Sequence, residues 1–322
     1  MRSLIAFAAL TLTASASYLK PTPLPLIIWH GLGDNYAADG LASVGELVNK
    51  TNPGTFVYNI RLSEDPGSDR TATFFGNLTE QISQVCNDLS SHPILSTAPA
   101  VNALGFSQGG QFLRGYVERC NYPPVKNLVT FGSQHNGIVE FQACGATDWV
   151  CKGAMALLKT NTWSHYIQSH LVPAQYYRNT NFTTGEPTPG YLEHSNFLAD
   201  VNNERMVKNA TYKKNLEGLE KFVMYVFGED TTVIPKESGW FAQTNLTSGE
   251  VTHVRNRTIY KEDWIGLKAL DDKGALEFKT IKGAAHMELD DEVLEEAFKA
   301  YFSPDGDESM DSLTGGQEVP EL

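Results

Sequence analysis

Residues 100–119 have the sequence AVNALGFSQGGQFLRGYVER. Ala100–Phe106 is a short apolar run typical of a buried strand, and Gln111–Arg119 has the spacing of an amphipathic helix. The residues expected on the inner face of that helix are Phe112, Leu113, Tyr116 and Val117. Between strand and helix lies Gly105-Phe106-Ser107-Gln108-Gly109, whose glycines allow a sharp turn without a Cβ clash. The pattern predicts that this turn lifts the Ser107 hydroxyl out of the sheet.

A serine hydroxyl becomes a nucleophile only when a base removes its proton. After a turn of this kind, the acid and the histidine should follow the serine in chain order, at the ends of later strands. The apolar run Phe222–Phe227 leads into Asp230, and Leu276–Ile281 leads into His286. We therefore expect Ser107 to be the nucleophile of an acyl-transfer hydrolase. His286 would act as base and then as acid, and Asp230 would orient the imidazole.

Other residues compete for these roles. Glu229 is adjacent to Asp230, and Asp200 is a further candidate acid. His30 and His135 also follow apolar runs, but His30 precedes the serine, and His135 leaves little room for an acid between serine and histidine. A structural serine in a glycine-rich turn is the alternative for the motif itself. Its position between a strand and a helix favours the catalytic interpretation.

Hydrolysis also requires hydrogen-bond donors for the oxyanion of the tetrahedral intermediate. The residue after the nucleophile supplies one backbone N–H in this architecture, and an early strand-to-helix loop supplies the other. Gln108 follows Ser107, and the turn His30-Gly31-Leu32-Gly33 follows the first apolar run, Leu24–Trp29. We expect the N–H groups of Gln108 and Leu32 to form the oxyanion hole; a plain glycine turn is the alternative for the second stretch.

The rest of the chain alternates in the same way. Phe56–Ile60 and Asn127–Phe131 have the character of strands, and helical spacing appears in Ala42–Val48, Phe74–Leu89 and Glu292–Tyr301. Such alternation is typical of an α/β protein with a mostly parallel sheet and helices on both faces. From about residue 137 to 205 the alternation of strands and helices stops, and we expect a helix-rich cap insertion there.

The two ends of the chain differ from its centre. Met1-Arg2, the apolar run Leu4–Leu12 and Ala14-Ser15-Ala16 have the form of a secretory signal peptide, expected over residues 1–16; a disordered amino terminus is the alternative. Residues 17–302 would be the hydrolase domain. Residues 303–322 are acidic and are expected to be a disordered tail. No stretch is long and apolar enough to predict a transmembrane helix.

Cysteines and glycosylation sequons support entry into the secretory pathway. The four cysteines allow three pairings; the short spacing favours Cys144–Cys151, which leaves Cys86 with Cys120, and free buried thiols are the alternative. Six Asn-x-Ser/Thr sequons are candidate glycan acceptors. They are Asn49, Asn77, Asn181, Asn209, Asn245 and Asn256.

Charge and composition exclude several classes of protein. The net charge is −13 without a basic patch, so nucleic-acid binding is not expected. There is no Cys-x-x-Cys pair, and we expect neither a metal nor a cofactor. We expect a monomer.

Several longer stretches resemble the palmitoyl-protein thioesterase family of soluble lysosomal hydrolases. They are Ile28-Trp29-His30-Gly31-Leu32-Gly33-Asp34, Leu104–Arg114, Gly132-Ser133-Gln134-His135-Asn136-Gly137, Phe197–Arg205, Tyr212-Lys213-Lys214-Asn215-Leu216 and Gly266-Leu267-Lys268. The resemblance runs from about residue 27 to 302, and these motifs are much more specific than Gly-x-Ser-x-Gly. It implies an α/β-hydrolase fold and removal of long fatty acyl groups from cysteine thioesters of proteins or peptides during lysosomal breakdown.

The resemblance also implies roles for particular residues. The triad of the family falls on Ser107, Asp230 and His286, its oxyanion donors fall on Leu32 and Gln108, and its disulfides imply Cys86–Cys120 and Cys144–Cys151. The acyl chain would lie under the cap, where the candidate contacts are Trp149, Met155, Trp163 and Tyr166. The chain departs from some members at Asp34-Asn35-Tyr36, which lacks an adjacent cysteine pair, and after Asp230, where a sequon is missing. The sequon at Asn209 matches.

Two other functions fit parts of the pattern. A secreted lipase or general carboxylesterase would use the same triad, because a serine triad attacks esters and thioesters alike. A catalytically inactive lipid-binding glycoprotein is disfavoured by the presence of all three triad residues in chain order. A lysosome, a vacuole or the extracellular space would suit any of these secreted proteins.

Overall fold

The computed structural model describes residues 22–140, 144–181 and 184–304. Six parallel strands form one sheet in the order β2-β1-β3-β4-β5-β8, and β6 and β7 form a small antiparallel pair. The strands are β1 (Leu26–Trp29), β2 (Val57–Asn59), β3 (Val101–Phe106), β4 (Val125–Phe131), β5 (Lys221–Phe227), β6 (Gln243–Thr244), β7 (Val251–Thr252) and β8 (Leu276–Ile281). The expected signal peptide and most of the expected acidic tail lie outside the described residues.

Helices surround the sheet. They are α1 (Asp39–Thr51), α2 (Pro66–Ala72), α3 (Leu78–Ser91), α4 (Gln108–Arg119), α5 (Trp149–Asn161), α6 (His165–His170), α7 (Val172–Gln175), α8 (Pro189–His194), α9 (Leu198–Val201), α10 (Ala210–Leu216), α11 (Thr258–Lys261), α12 (Leu267–Asp272) and α13 (Asp291–Phe302). Short 3₁₀ turns occupy Leu95–Thr97, Lys236–Trp240 and Val254–Asn256. None of the helices in the described ranges is long and apolar enough to cross a membrane.

Successive residues of each strand point to opposite faces, so the sheet separates two apolar cores. On one face, Ile27 and Leu128 pack with residues of α3 and α4 such as Ile82. On the other face, Ile28 and Val129 pack with residues of α1 and α13. The mostly parallel sheet covered on both faces, as the sequence predicted, is confirmed as an α/β-hydrolase architecture.

One predicted helix starts four residues later than expected. The helix predicted over Phe74–Leu89 begins at Leu78, because the Asn77 side chain caps it by accepting a hydrogen bond from Thr79 N at 3.0 Å. Gly76, with φ of +140°, ends the preceding segment. Phe74 belongs instead to the turn after α2, a short helix that the sequence analysis did not predict. The apolar residues at helical spacing in α3, which are Leu78, Ile82, Val85 and Leu89, are all buried.

Between β4 and β5 the described residues form six helices, α5 to α10, and five of them lie within the predicted helix-rich insertion. Residues of α5, α6 and α7 form a small third apolar cluster that packs around Phe74. Disulfides join Cys86 of α3 to Cys120 after α4, and Cys144 to Cys151 of α5, the two pairs expected. The second disulfide ties the start of α5 to the segment before it. The exact bounds of the cap, residues 137–205, remain a prediction.

Candidate active site

Ser107 stands at the junction of β3 and α4 in a backbone conformation that few residues adopt. Its φ is 51° and its ψ is −126°, and α4 begins at the next residue. A Cβ on Gly105 would overlap the backbone of Gly110, and a Cβ on Gly109 would overlap the carbonyl of Trp29. The glycines of the motif are therefore required for β3, α4 and β1 to meet this closely. The amino end of α4, with its partial positive charge, lies directly beside the serine hydroxyl.

His286 connects Ser107 to Asp230. Its Nε2 lies 3.1 Å from Ser107 Oγ, and its Nδ1 lies 2.7 Å from Asp230 Oδ2. These three residues come from the carboxyl ends of β3, β5 and β8, which a parallel sheet brings to one edge. Geometry of this kind allows the imidazole to take a proton from the serine while the carboxylate holds the other nitrogen.

Asp230 is held rigidly from its other side. Its Oδ1 accepts hydrogen bonds from the backbone N–H groups of Thr232 at 2.8 Å and Val233 at 2.9 Å, while Oδ2 faces His286. The side chain is only 1% exposed, and that of His286 is 13% exposed. The carboxylate thus has a partner for each oxygen, and the Nε2 atom of the imidazole is left to face Ser107.

The two predicted oxyanion donors flank the serine. A Cβ built on Gly31 would lie 3.1 Å from Ser107 Cβ, so the loop that contains Leu32 abuts the nucleophile. Within the described ranges, neither the Leu32 N–H nor the Gln108 N–H donates a hydrogen bond to the protein. The Gln108 side chain is fixed, since it donates to Thr73 O at 3.3 Å and accepts from Tyr176 Oη at 3.1 Å. Both N–H groups therefore remain free to bind another acceptor.

A second buried histidine–aspartate pair lies behind this loop, and the sequence analysis did not predict it. His30 Nε2 lies 3.0 Å from Asp69 Oδ2, and both side chains are almost fully buried. Asp69 also accepts from Tyr36 N at 2.9 Å and Leu62 N at 2.7 Å. Burial alone would raise the pKa of Asp69, but the hydrogen bonds from His30 and the two amides hold it below its ordinary value. The carboxylate is thus stabilised as an anion.

This second pair orients the loop that contains Leu32. His30 Nδ1 lies 3.2 Å from the carbonyl oxygen of Gly31. In a trans peptide the carbonyl and the following N–H point in opposite directions, so this contact turns the Leu32 N–H away from His30. Gly33 is held by α2 and by the turn that follows it. The Gly33 N–H donates to Thr73 Oγ1 at 2.9 Å, and the Gly33 carbonyl accepts from Arg70 Nε at 2.8 Å.

Arg70 extends these contacts to the cap. Its Nη2 donates to Asp148 Oδ2 at 2.8 Å, and Asp148 also caps α5 by accepting from Cys151 N at 3.0 Å. The backbone N–H of Cys151 and the Arg70 guanidinium lower the pKa of Asp148, although desolvation opposes this change. One guanidinium thereby joins the loop that contains Leu32 to the first cap helix. An Asp-Pro pair at Asp65-Pro66 was the available sequence signal for α2.

The competing candidates lie elsewhere. His135 is fully buried between Arg114, whose Nε donates to its Nδ1 at 3.3 Å, and Thr130. Burial and the charge of Arg114 lower the pKa of His135 well below its ordinary value, so it remains neutral. Asp200 pairs with Arg119 at 2.8 Å, and Glu229 is exposed. Neither acid contacts His286 among the described residues.

An apolar cavity of about 630 Å³ opens at Ser107 and His286. Its walls include Leu41 of α1, Leu294 of α13 and Phe74. Of the four predicted acyl contacts, Met155 lines this cavity. Trp149 and Tyr166 are exposed on the cap, and Trp163 packs against Tyr177 and Tyr191 instead. These three do not line the cavity because they lie on other faces of the cap, and α1 and α13 supply wall residues that the sequence analysis missed.

Comparison with known proteins agrees with this geometry. The family model for palmitoyl protein thioesterase matches residues 25–286. Palmitoyl-protein thioesterase 1 of Caenorhabditis elegans is 35% identical, over 87% of this chain and 92% of that protein. Palmitoyl-protein thioesterase 3 of Dictyostelium discoideum is 32% identical, over 91% and 94%. Lysosomal thioesterase PPT2-B of Xenopus laevis is 26% identical, over 81% and 86%. The chain belongs to the palmitoyl protein thioesterase family.

Proposed function

We propose that this enzyme hydrolyses the thioester between a long fatty acyl chain and a cysteine of a protein or peptide, with Ser107 as nucleophile. The observation that carries the proposal is the position of His286, within hydrogen-bond reach of both Ser107 and Asp230 at the mouth of an apolar cavity. Thioester hydrolysis is the activity of the family to which the chain belongs. The cavity also has a volume and a mostly apolar lining that suit an acyl chain.

In the first half of the reaction, Ser107 Oγ attacks the thioester carbonyl while its proton moves to His286 Nε2. The carbonyl oxygen becomes an anion that accepts hydrogen bonds from the Leu32 and Gln108 N–H groups. Asp230 accepts from His286 Nδ1–H and stabilises the imidazolium. When the tetrahedral intermediate collapses, the carbon–sulfur bond breaks, and His286 returns the proton to the departing cysteine sulfur.

In the second half, water replaces the thiol. His286 takes a proton from the water, the hydroxide attacks the acyl-Ser107 carbonyl, and the same two N–H groups bind the new oxyanion. Collapse breaks the bond between the acyl carbon and Ser107 Oγ, the serine recovers its proton from His286, and the fatty acid leaves. No further reactant is required.

The acyl chain would extend from Ser107 between α1, α13 and the cap. Leu41 and Leu294 would contact it from the first two helices, and Met155 from the third. Burial of apolar surface contributes about 0.8 kcal/mol for each methylene, so a cavity of this size can select a long chain. The cysteine side of the substrate would remain in the open mouth, where proteins of different sequence can be accommodated.

The protein would act in the lysosome, in a vacuole or outside the cell, as a secreted glycoprotein and a monomer. Two disulfides suit an oxidising compartment. The sequon asparagines Asn49, Asn181, Asn209 and Asn256 are exposed, and Asn77 and Asn245 are half-buried. The four exposed positions are the better glycan acceptors. Asn77 and Asn209 also cap α3 and α10 with their side chains.

A paired assay tests this function. Purified protein is offered an S-palmitoyl peptide and a short-chain glyceride, as the parent chain, as Ser107→Ala and as Ser83→Ala, an exposed serine on α3. The parent and Ser83→Ala should hydrolyse the thioester, and Ser107→Ala should not. Glyceride turnover without thioester turnover would identify a lipase or carboxylesterase instead. Thioester turnover that survives Ser107→Ala would contradict the mechanism.

A further inference from the structure

The cap carries a stretch with an unusual charge composition. Residues 149–185, 37 in succession, contain no Asp or Glu, although the chain holds 38 acids and has a net charge of −13. At the average frequency of acids in this chain, such a stretch would hold about four. A shorter acid-free stretch, residues 89–117, covers β3 and most of α4, where burial excludes charge. Burial does not explain the cap, because much of α5 and α6 is exposed.

The exposed face of α5 is apolar. Trp149, Gly153, Ala156 and Leu157 are all exposed, and their spacing places them on one side of the helix. Trp149 is 78% exposed, and Tyr166 on α6 is 61% exposed. Lys152 Nζ lies 4.9 Å from the centre of the Trp149 ring. An exposed tryptophan and tyrosine with a neighbouring lysine is the combination found where proteins meet the headgroup region of a bilayer.

The helix that carries this face also forms part of the cavity wall. Cys151 and Met155 line the cavity from another side of α5, and Leu32 and Met287 line it beside Ser107 and His286 while remaining more than one third exposed. Nine large apolar side chains are more than one third exposed in the described ranges, and five of them lie on α5, on α6 or at this mouth. A scattered distribution would need no explanation, but a concentration on these few segments does.

We propose that the outer face of α5 and α6, centred on Trp149 and Tyr166, docks the enzyme on the surface of an anionic lipid bilayer. The proposal rests on the proposed function, since an acyl chain on a membrane-bound protein is held in the bilayer until an enzyme extracts it. Because α5 also lines the cavity, docking through its outer face would bring the cavity close to the bilayer. With this face toward the bilayer, a chain of net charge −13 would place no carboxylate of α5 or α6 against the anionic headgroups.

Vesicle binding tests the proposal without any turnover. The full chain carrying Ser107→Ala is mixed with vesicles of phosphatidylcholine alone and of phosphatidylcholine with phosphatidylglycerol, and the bound fraction is measured by flotation. Binding should favour the anionic vesicles. Trp149→Ala with Tyr166→Ala should weaken it by about tenfold or more, because two interfacial aromatic side chains are removed. Lys152→Gln should weaken binding to the anionic vesicles by about fivefold.

The matched control is Tyr122→Ala. Tyr122 is 57% exposed but precedes β4, so it lies toward the opposite edge of the sheet from the active site. This variant should bind as well as the parent. Trp149→Phe should keep most of the binding but lose part of the tryptophan quenching that brominated lipids produce, which reports contact directly and excludes misfolding.

Three results would overturn the proposal: no binding of the parent chain to either vesicle, equal loss in Tyr122→Ala, or Trp149-dependent dimerisation without vesicle binding. Failure of the proposed function would be distinguishable from these results, because the chain that retains Ser107 would then show no thioester turnover. The Trp149→Ala, Tyr166→Ala variant should hydrolyse a water-soluble long-chain thioester at the parental rate, since neither side chain lines the cavity. Its rate on an S-palmitoyl peptide embedded in vesicles should fall with binding.

Discussion

Two histidine–aspartate pairs lie near Ser107, and only one of them is arranged as a base. His286 has one nitrogen on Asp230 and the other on Ser107 Oγ. His30 has one nitrogen on Asp69 and the other on the Gly31 carbonyl, and neither is hydrogen-bonded to the serine. Both pairs consist of a histidine and an aspartate, but the second imidazole nitrogen has a different partner in each. What the second nitrogen faces therefore decides whether such a pair moves a proton or holds a loop.

The pairs also differ in how their carboxylates are supported. Asp230 is held by two amides of its own turn, Thr232 and Val233. Asp69 is held by amides of two other loops, at Tyr36 and Leu62, and so joins separate segments of chain. The first arrangement fixes one side chain for chemistry. The second fixes the peptide between Gly31 and Leu32, whose N–H is the proposed donor to the oxyanion.

Removal of the catalytic imidazole should have the largest effect. His286→Gln should lower kcat by about 10⁶-fold, because loss of the base in a serine triad costs about as much as loss of the nucleophile. Single-turnover kinetics with an S-palmitoyl peptide would measure this, with His194→Gln, an exposed histidine, as control. A loss smaller than about 100-fold would mean that another group serves as base.

Removal of the charge from the second pair should have an intermediate effect. Asp69→Asn should lower kcat by about 10²- to 10³-fold with little change in KM, because the Leu32 N–H would no longer be held toward the oxyanion. A palmitoyl trifluoromethyl ketone, which forms a tetrahedral adduct with serine, should lose affinity in parallel with kcat/KM, while the affinity for palmitate is retained.

The control for this variant is Asp65→Ala, which removes the cap of α2 but leaves the contacts of Asp69 intact. It should cost about 1 kcal/mol of stability and leave the affinity for the ketone unchanged. Equal loss of ketone affinity in both variants would show that Asp69 acts only by stabilising α2.

Acidification should have the smallest effect of the three, and it concerns the second pair. The folded pKa of Asp69 lies below its ordinary value, so its contribution to stability is complete above the unfolded value of about 3.9 and is lost only as pH falls through the folded value.

The measurement is a profile, from about pH 7 to about pH 4, of the difference in unfolding free energy between the parent and Asp69→Asn. The difference should stay nearly constant down to about pH 5. A difference that already falls between about pH 7 and about pH 5 would show that Asp69 is not stabilised as an anion in the folded protein.

Much of the site could be predicted because its signals are local. The glycines around Ser107, and the apolar runs that end near Asp230 and His286, are readable within a few residues of the groups they position. The second pair could not be predicted in this way. Asp69 lies in a seven-residue helix with no apolar periodicity, and His30 looks like a discarded rival because it precedes the serine.

The acyl cavity was predicted less well for a different reason. Its walls come from α1, α13 and α5, which are distant in sequence and meet only because the sheet places them at one edge. Aromatic content pointed to Trp149 and Tyr166, which are exposed, and not to Leu41 or Leu294, which line the cavity. Apolar character predicts that a side chain prefers to be covered, but it does not say by what.

The guanidinium of Arg70 binds Gly33 O with one nitrogen and Asp148 with another. The cap helix α5 and the loop that contains Leu32 are therefore joined through one guanidinium. By linkage, an acyl chain that stabilises α5 would also stabilise that loop, and the reverse would hold equally. Chain length would then be expressed in kcat as well as in KM, and Arg70 would couple recognition to catalysis.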